Sequence, residues 1–228
     1  MSGTAKTCPG GQVLTANQRK YFPGISFSIF YDKLVFFIKS CVIFSVLSFG
    51  FSLTGFLFPD DSYIIGNPLV VSSPTLEHIF GHMAFGIIAG AISLSLRYVF
   101  LSGALALLVD ADHLLQFFNV EMISRFVHSF PFAIIIAVIM LYVFGKKDYR
   151  LAAISFSAII SHIAFDTWLA GQIYPGSTSG FPLLSPFTVE IFRFQGLDWL
   201  YLEILAIVIV GIIAILDRKI SIKNHIEK

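Results

Sequence analysis

His162 and Asp166 stand four residues apart, on one face of any helix that contains them. An imidazole and a carboxylate so placed can grip one cation. Asp110, Asp112 and His113 form a second group, in which Asp110 and His113 share a face while Asp112 points about 200° away on an ideal helix. Both aspartates can therefore be ligands only where the helix is distorted. His82, His128 and Glu203 add two imidazoles and a carboxylate, Arg125 a planar donor fork suited to phosphate or carboxylate, and Ser129 a hydroxyl beside His128. Imidazole nitrogen and carboxylate oxygen without thiolate form the ligand set of zinc, manganese or iron hydrolytic centres. His78, four residues before His82, reads as an interfacial residue, and Cys8 and Cys41 fall where neither a disulfide framework nor a metal finger fits.

The elements that must carry these groups are apolar. With 56% hydrophobic and 13% charged residues the chain is too apolar for a soluble domain. Crossing ~30 Å of hydrocarbon takes roughly 20 helical residues, and runs of about that length lie at 34–58, 78–96, 98–118, 126–144, 151–170 and 199–216. The expectation is an all-α membrane protein, a bundle of about six transmembrane helices, with 98–118 the span most prone to break because it runs through Asp110, Asp112 and His113. Residues 1–33 read as a flexible cytoplasmic tail, 34–216 as the membrane domain and 217–228 as a basic cytoplasmic tail. With both termini inside, thirteen of the fifteen Lys and Arg residues fall on the cytoplasmic side and only Arg125 and Arg193 outside. Basic residues spread along one membrane face, at a net charge of +1, exclude a nucleic-acid patch.

This topology assigns depths. At ~1.5 Å per residue, Asp110 and Asp112 lie ~20 to 22 Å from the inner surface, and His162 and Asp166 ~18 and ~24 Å from it. His82 and His128 lie ~5 to 8 Å below the outer surface, with Glu203 near the same level. Ionisable groups cost ~3 kcal/mol or more at the bilayer centre. Seven of them sharing one layer are expected to face each other across the bundle interior.

The ordered series His82 with Gly86 and Gly90, Asp110-Ala-Asp112-His113, Arg125-Phe-Val-His128-Ser129 and His162-Ile-Ala-Phe-Asp166 with Gly171, followed by Pro182 to Phe187, Gly196 and Glu203, resembles the YdjM-type inner-membrane metal-dependent hydrolase family. That family is distantly linked to zinc-dependent phospholipase C and the zinc nucleases. The resemblance covers about residues 78–203 and departs at Phe126, where glycine is expected. It implies a hydrolase of phosphate esters with two or three metal ions, while the ligand types by themselves suit one to three divalent ions, zinc first and manganese or iron as alternatives. In the reaction so expected, His82, Asp110 or Asp112, His128, His162 and Asp166 hold metal, Asp110 or Glu203 takes the proton of the attacking water, and Arg125 stabilises the phosphoryl oxygen, with His113 and Ser129 in support. A site beneath the outer surface suits a phospholipid or lipid-linked phosphate drawn in from the membrane. The competing reading is a cation or proton transporter using the same buried groups. A conduit needs polar groups reaching both faces, whereas stretches such as 132–141 and 204–215 are apolar throughout.

Overall fold

Apolar runs punctuated by Ser, Thr, Asp and Gly fold as helices whose ends these residues fix. The computed structural model describes residues 27–58, 64–65, 75–118, 122–123, 125–145, 148–173, 176 and 178–226, so the polar tail expected over residues 1–33 lies for the most part outside the described residues. Two compact units divide the chain, residues 1–36 and 37–228. Of the first, the described part is helical, residues 27–36.

The helices are α1 (Phe27–Ser52), α2 (Leu76–Ala91), α3 (Leu96–Leu108), α4 (Phe130–Val143), α5 (Tyr149–Ile173) and α6 (Asp198–Ile226). Short 3-10 segments follow α1 (Leu53–Leu57) and α3 (Val109–Phe118). Two small antiparallel pairs complete the described chain. Strand β1 (Ile64–Ile65) meets β2 (Met122–Ile123), and β3 (Ser179–Phe181) meets β4 (Phe192–Phe194) with Gly180 opposite Arg193.

Two of the helix starts have a clear chemical cause. The Thr75 hydroxyl accepts the His78 N–H at 3.1 Å and opens α2, and the Ser129 hydroxyl accepts the Phe132 N–H at 3.3 Å and opens α4, with Pro131 in its first turn. His128 and Ser129 therefore precede α4, where a span had been expected from residue 126. Helix α3 ends at Leu108, the break anticipated for that span, and α2 ends at Ala91 before a turn in which Leu94 has φ 54°. Helix α6 runs on to Ile226, so the segment expected as a basic tail from 217 is helical through that residue. No Pro or Gly interrupts it there.

Four stretches are long and apolar enough to cross a membrane: Phe30–Leu57, Leu96–Leu115, Tyr149–Gln172 and Asp198–Ile220. Helices α2 and α4, of 16 and 14 residues, reach only ~24 and ~21 Å at ~1.5 Å per residue. Large apolar side chains such as Phe80, Phe100, Val138, Tyr142 and Ile212 are exposed around the outside, as a lipid-facing surface requires. The core lies among α2 to α6, where Leu101, Leu105, Ile136, Ile159, Ile163 and Ala206 are fully buried.

The end of the bundle away from the histidines is tied by ion pairs. The Tyr98 hydroxyl donates to Asp148 Oδ1 at 2.7 Å and receives a hydrogen bond from Arg97, while Arg150 Nε lies 2.7 Å from Asp217 Oδ2. Asp148 Oδ1 also accepts the Leu151 N–H at 3.1 Å and so caps α5. Asp148→Ala is expected to remove that cap and the acceptor that Tyr98 donates to, costing about 1–2 kcal/mol. Thermal unfolding in detergent should show the loss, with Asp148→Asn, which keeps an acceptor, falling between the two. Equal stability of wild type and Asp148→Ala would contradict this role.

Candidate metal centre

The N-terminal half of α2 meets the C-terminal half of α5 through aromatic packing. A Cβ at Gly81 would stand 2.0 Å from the Phe165 ring, so only glycine lets that ring lie against α2. There Phe165 packs edge-on to His82 (centroids 4.6 Å, 71°), and His82 in turn stacks on His162 with centroids 3.8 Å apart and planes 6° from parallel. The α3 backbone fixes the second of these rings. His162 Nδ1 lies 2.8 Å from the Ala106 carbonyl, which can only accept, so Nδ1 carries the hydrogen and Nε2 of the neutral ring keeps its lone pair.

Two aspartates then link four imidazoles. Asp110 turns Oδ2 toward His82 and His78 (3.5 and 3.8 Å from Nε2) and Oδ1 toward His162 and His128 (3.3 and 3.9 Å). Asp166 divides its oxygens in the same way: Oδ1 stands 3.3 and 3.5 Å from His82 and His78, Oδ2 3.5 and 3.6 Å from His162 and His128. Within each histidine pair the Nε2 atoms are 2.8 Å (His78, His82) and 2.9 Å (His128, His162) apart. Donors ~2.0–2.1 Å from a tetrahedral zinc ion stand ~3.3 Å from one another. Each set, of two imidazole nitrogens and two carboxylate oxygens, has a donor chemistry and spacing that could hold a metal ion, and His82, Asp110 and His162 group across the two as well. His82, His162 and His128 have side chains 0 to 4% exposed, whereas His78, Asp110 and Asp166 at 12, 15 and 23% form the open side.

Sequence expectations and geometry part company at several residues. His78, read from sequence as interfacial, belongs to the cluster, and its i,i+4 spacing from His82 is the signal that places both rings on one face. Asp110 joins the four histidines, whereas Asp112 groups with Asp110 and His113 in a separate set. There Asp112 Oδ2 accepts from Ser52 at 2.9 Å and Oδ1 lies 3.0 Å from His113 Nδ1, which is also 2.9 Å from the Asp110 carbonyl. The 3-10 geometry explains the split, because ~120° per residue points Asp112 well away from the face shared by Asp110 and His113. Among the described residues, Glu203 is outside every such set. It is 5% exposed, on the buried stripe of α6 with Leu202, Ala206 and Val210 and beside Ser161, without a well-formed hydrogen bond.

Arg125 and Ser129 are committed elsewhere in part. Ser129 caps α4, as described. Arg125, at φ 51°, donates from Nη1 to the Gly180 carbonyl at 3.1 Å and lies over the Phe181 ring, which stacks on His128 with centroids 5.4 Å apart. Strand β3 is pinned over the cluster by this contact, by Ser179 Oγ donating to the Asp166 carbonyl at 3.3 Å, and by the Phe130 N–H donating to the Leu183 carbonyl at 2.9 Å just beyond it. Among the described residues, four N–H groups of the Arg125 fork are left for other acceptors.

A family model described as YdjM inner membrane protein matches residues 74–226, about two thirds of the chain and every member of the cluster. No curated protein and no solved structure matches at a significant level.

Proposed function

The chain belongs to the YdjM inner membrane protein family, and on that footing we propose that it is a membrane-embedded, metal-dependent hydrolase cleaving a phosphate ester of a lipid or lipid-linked substrate at the outer leaflet. One observation carries the reading: Asp110 and Asp166 each turn one oxygen to His78 and His82 and the other to His128 and His162. An intramembrane carboxylate is expensive unless a cation meets it. Among the described residues, the groups contacting these two aspartates include no Lys or Arg, so divalent ions are the natural counter-charge. Zinc suits the donors best, and manganese or iron is compatible with them.

Bound ions of this kind supply a water that ionises near neutral pH and positive charge for a phosphoryl oxygen. The protein's own groups do the rest. Asp110 and Asp166 fix the spacing of the two donor sets, and Phe181 and Phe165 wall the histidines from lipid. The free donors of Arg125 orient the phosphate beside His128. Asp110 has its oxygens turned to histidines, and among the described residues Glu203 lies outside the cluster. His113 braces the same turn as Asp110, with Nδ1 2.9 Å from the Asp110 carbonyl and 3.0 Å from Asp112 Oδ1.

In this reading the six helices all cross or enter the membrane with both chain ends in the cytoplasm, and α2 and α4 are short because the site opens at their outer ends. The charge distribution supports that orientation. Metal analysis of purified protein, with and without His162→Ala plus Asp166→Ala, tests the reading. Wild type should retain zinc and the variant lose it, and wild type alone should release phosphate or headgroup from lipid phosphates in vesicles. Negligible metal in both proteins ends the proposal.

A further inference from the structure

Helix α1 lies outside the region matched by the family, which begins at residue 74, yet it touches the turn that carries Asp110. We propose that Ser52 of α1 is a positioning residue of the metal centre, holding Asp112 and through it the 3-10 turn that presents Asp110. This rests on the metal reading above.

Helix α3 breaks beside α1. Where that helix gives way to the 3-10 segment at Val109, the Ser48 hydroxyl donates to the Val109 carbonyl at 2.7 Å. One turn along the same face of α1, the Ser52 hydroxyl donates to Asp112 Oδ2 at 2.9 Å. Both serines are fully buried and Asp112 is 2% exposed, so no water substitutes freely for either hydroxyl. With three residues per turn, Asp110 and His113 project together and Asp112 projects toward α1. The whole segment is thus clamped from one side by α1 while Asp110 reaches the histidines on the other. Rotation of this turn would withdraw Asp110 from both donor sets at once. Phe44 and Phe51, packed on Phe132 with centroids 6.4 and 4.9 Å apart, seat α1 against α4 beside it.

Hydrogen-bond partners that orient a metal ligand typically contribute 10- to 100-fold in affinity. Full-length protein in detergent is titrated with zinc against a chromophoric chelator. Ser52→Ala is expected to bind about tenfold more weakly, with the same number of ions at saturation, and Ser52→Thr to restore affinity. Ser52→Ala combined with Asp112→Asn should be no weaker than Asp112→Asn alone, because both act through one contact. A merely structural serine would instead lower the thermal stability of the metal-free protein and leave affinity unchanged. Wild-type binding with Ser52→Ala inside about twofold of it, additive losses in the double variant, or one ion fewer in Asp112→Ala with Ser52→Ala normal would each overturn this proposal and leave the metal reading standing. Absence of zinc binding by the wild type would overturn both.

Discussion

On the proposed two-ion reading, Asp166→Asn is expected to strip the protein of both ions, whereas His78→Ala strips it of one. The difference follows from how the oxygens are shared. Asp166 Oδ1 stands 3.3 Å from His82 Nε2 and Oδ2 3.5 Å from His162 Nε2, so replacing one oxygen by an amide nitrogen weakens one set directly and removes a negative charge from both. His78 contributes one nitrogen to one set, and its loss leaves His128, His162 and two carboxylate oxygens in place for the other ion. Metal per chain, measured by mass spectrometry on protein purified with zinc, should be about two equivalents in wild type, about one in His78→Ala and near zero in Asp166→Asn. The proposed hydrolysis of lipid phosphate should fall by more than ~100-fold in Asp166→Asn, beyond what loss of an outer hydrogen-bond partner typically costs. Asparagine keeps the size of aspartate, so the packing of α5 is preserved. If Asp166→Asn and His78→Ala each lost the same single equivalent, the aspartate would serve one ion only and the shared arrangement would be wrong.

How far the site could be read from residues alone depends on which coordinate the sequence encodes. Depth is encoded, because helices climb a fixed distance per residue. His82, Asp110, His128, His162 and Asp166 shared an estimated layer and do meet. Direction around the helix axis is encoded only within one regular helix. Glu203 has a similar depth but projects into the seam beside Ser161, and nothing in a single sequence fixes the rotation of α6 relative to its neighbours. Asp112 was separable from Asp110 by angle, but which of the two would face the histidines depended on where α3 breaks and on hydroxyls contributed by α1, some sixty residues away in sequence. His78 was legible in principle, since i,i+4 from His82 is the same signal that linked His162 to Asp166. Ser129 before Phe-Pro-Phe carries the pattern of a helix cap, and that local role takes its hydroxyl.

Gly86→Leu is expected to collapse the centre without touching any of its ligands. Helices α2 and α3 pack through Gly86 and Gly90, a small-xxx-small pair against Ser102, Gly103 and Ala106 of α3, which brings the two backbones close together. A Cβ on residue 86 would stand 2.6 Å from the Ser102 carbonyl oxygen, 2.7 Å from Ala106 Cβ and 2.9 Å from Gly103 Cα. Two of those atoms are backbone inside a helix, so the clash cannot be relieved by a rotamer change; the helices must separate. Separation acts on the site at both ends of one short lever. His82 is one turn from Gly86 on α2, and the Ala106 carbonyl that orients His162 belongs to the α3 turn that Gly86 contacts. Moving α2 from α3 therefore slides the His82 ring, stacked 3.8 Å from His162, off the partner that α3 holds. Even Gly86→Ala should cost about 1–3 kcal/mol as overpacking, and leucine should exceed that range. Thermal unfolding in detergent should fall in the order wild type, alanine, leucine, with zinc retention following the same order. Gly211→Ala is the control, because a Cβ there meets only Ile92 side-chain atoms at 3.6 and 3.8 Å and gains helix propensity, so stability should hold or rise by up to ~1 kcal/mol. Full zinc retention in Gly86→Leu would mean that the α2–α3 seam does not set the register of the histidines.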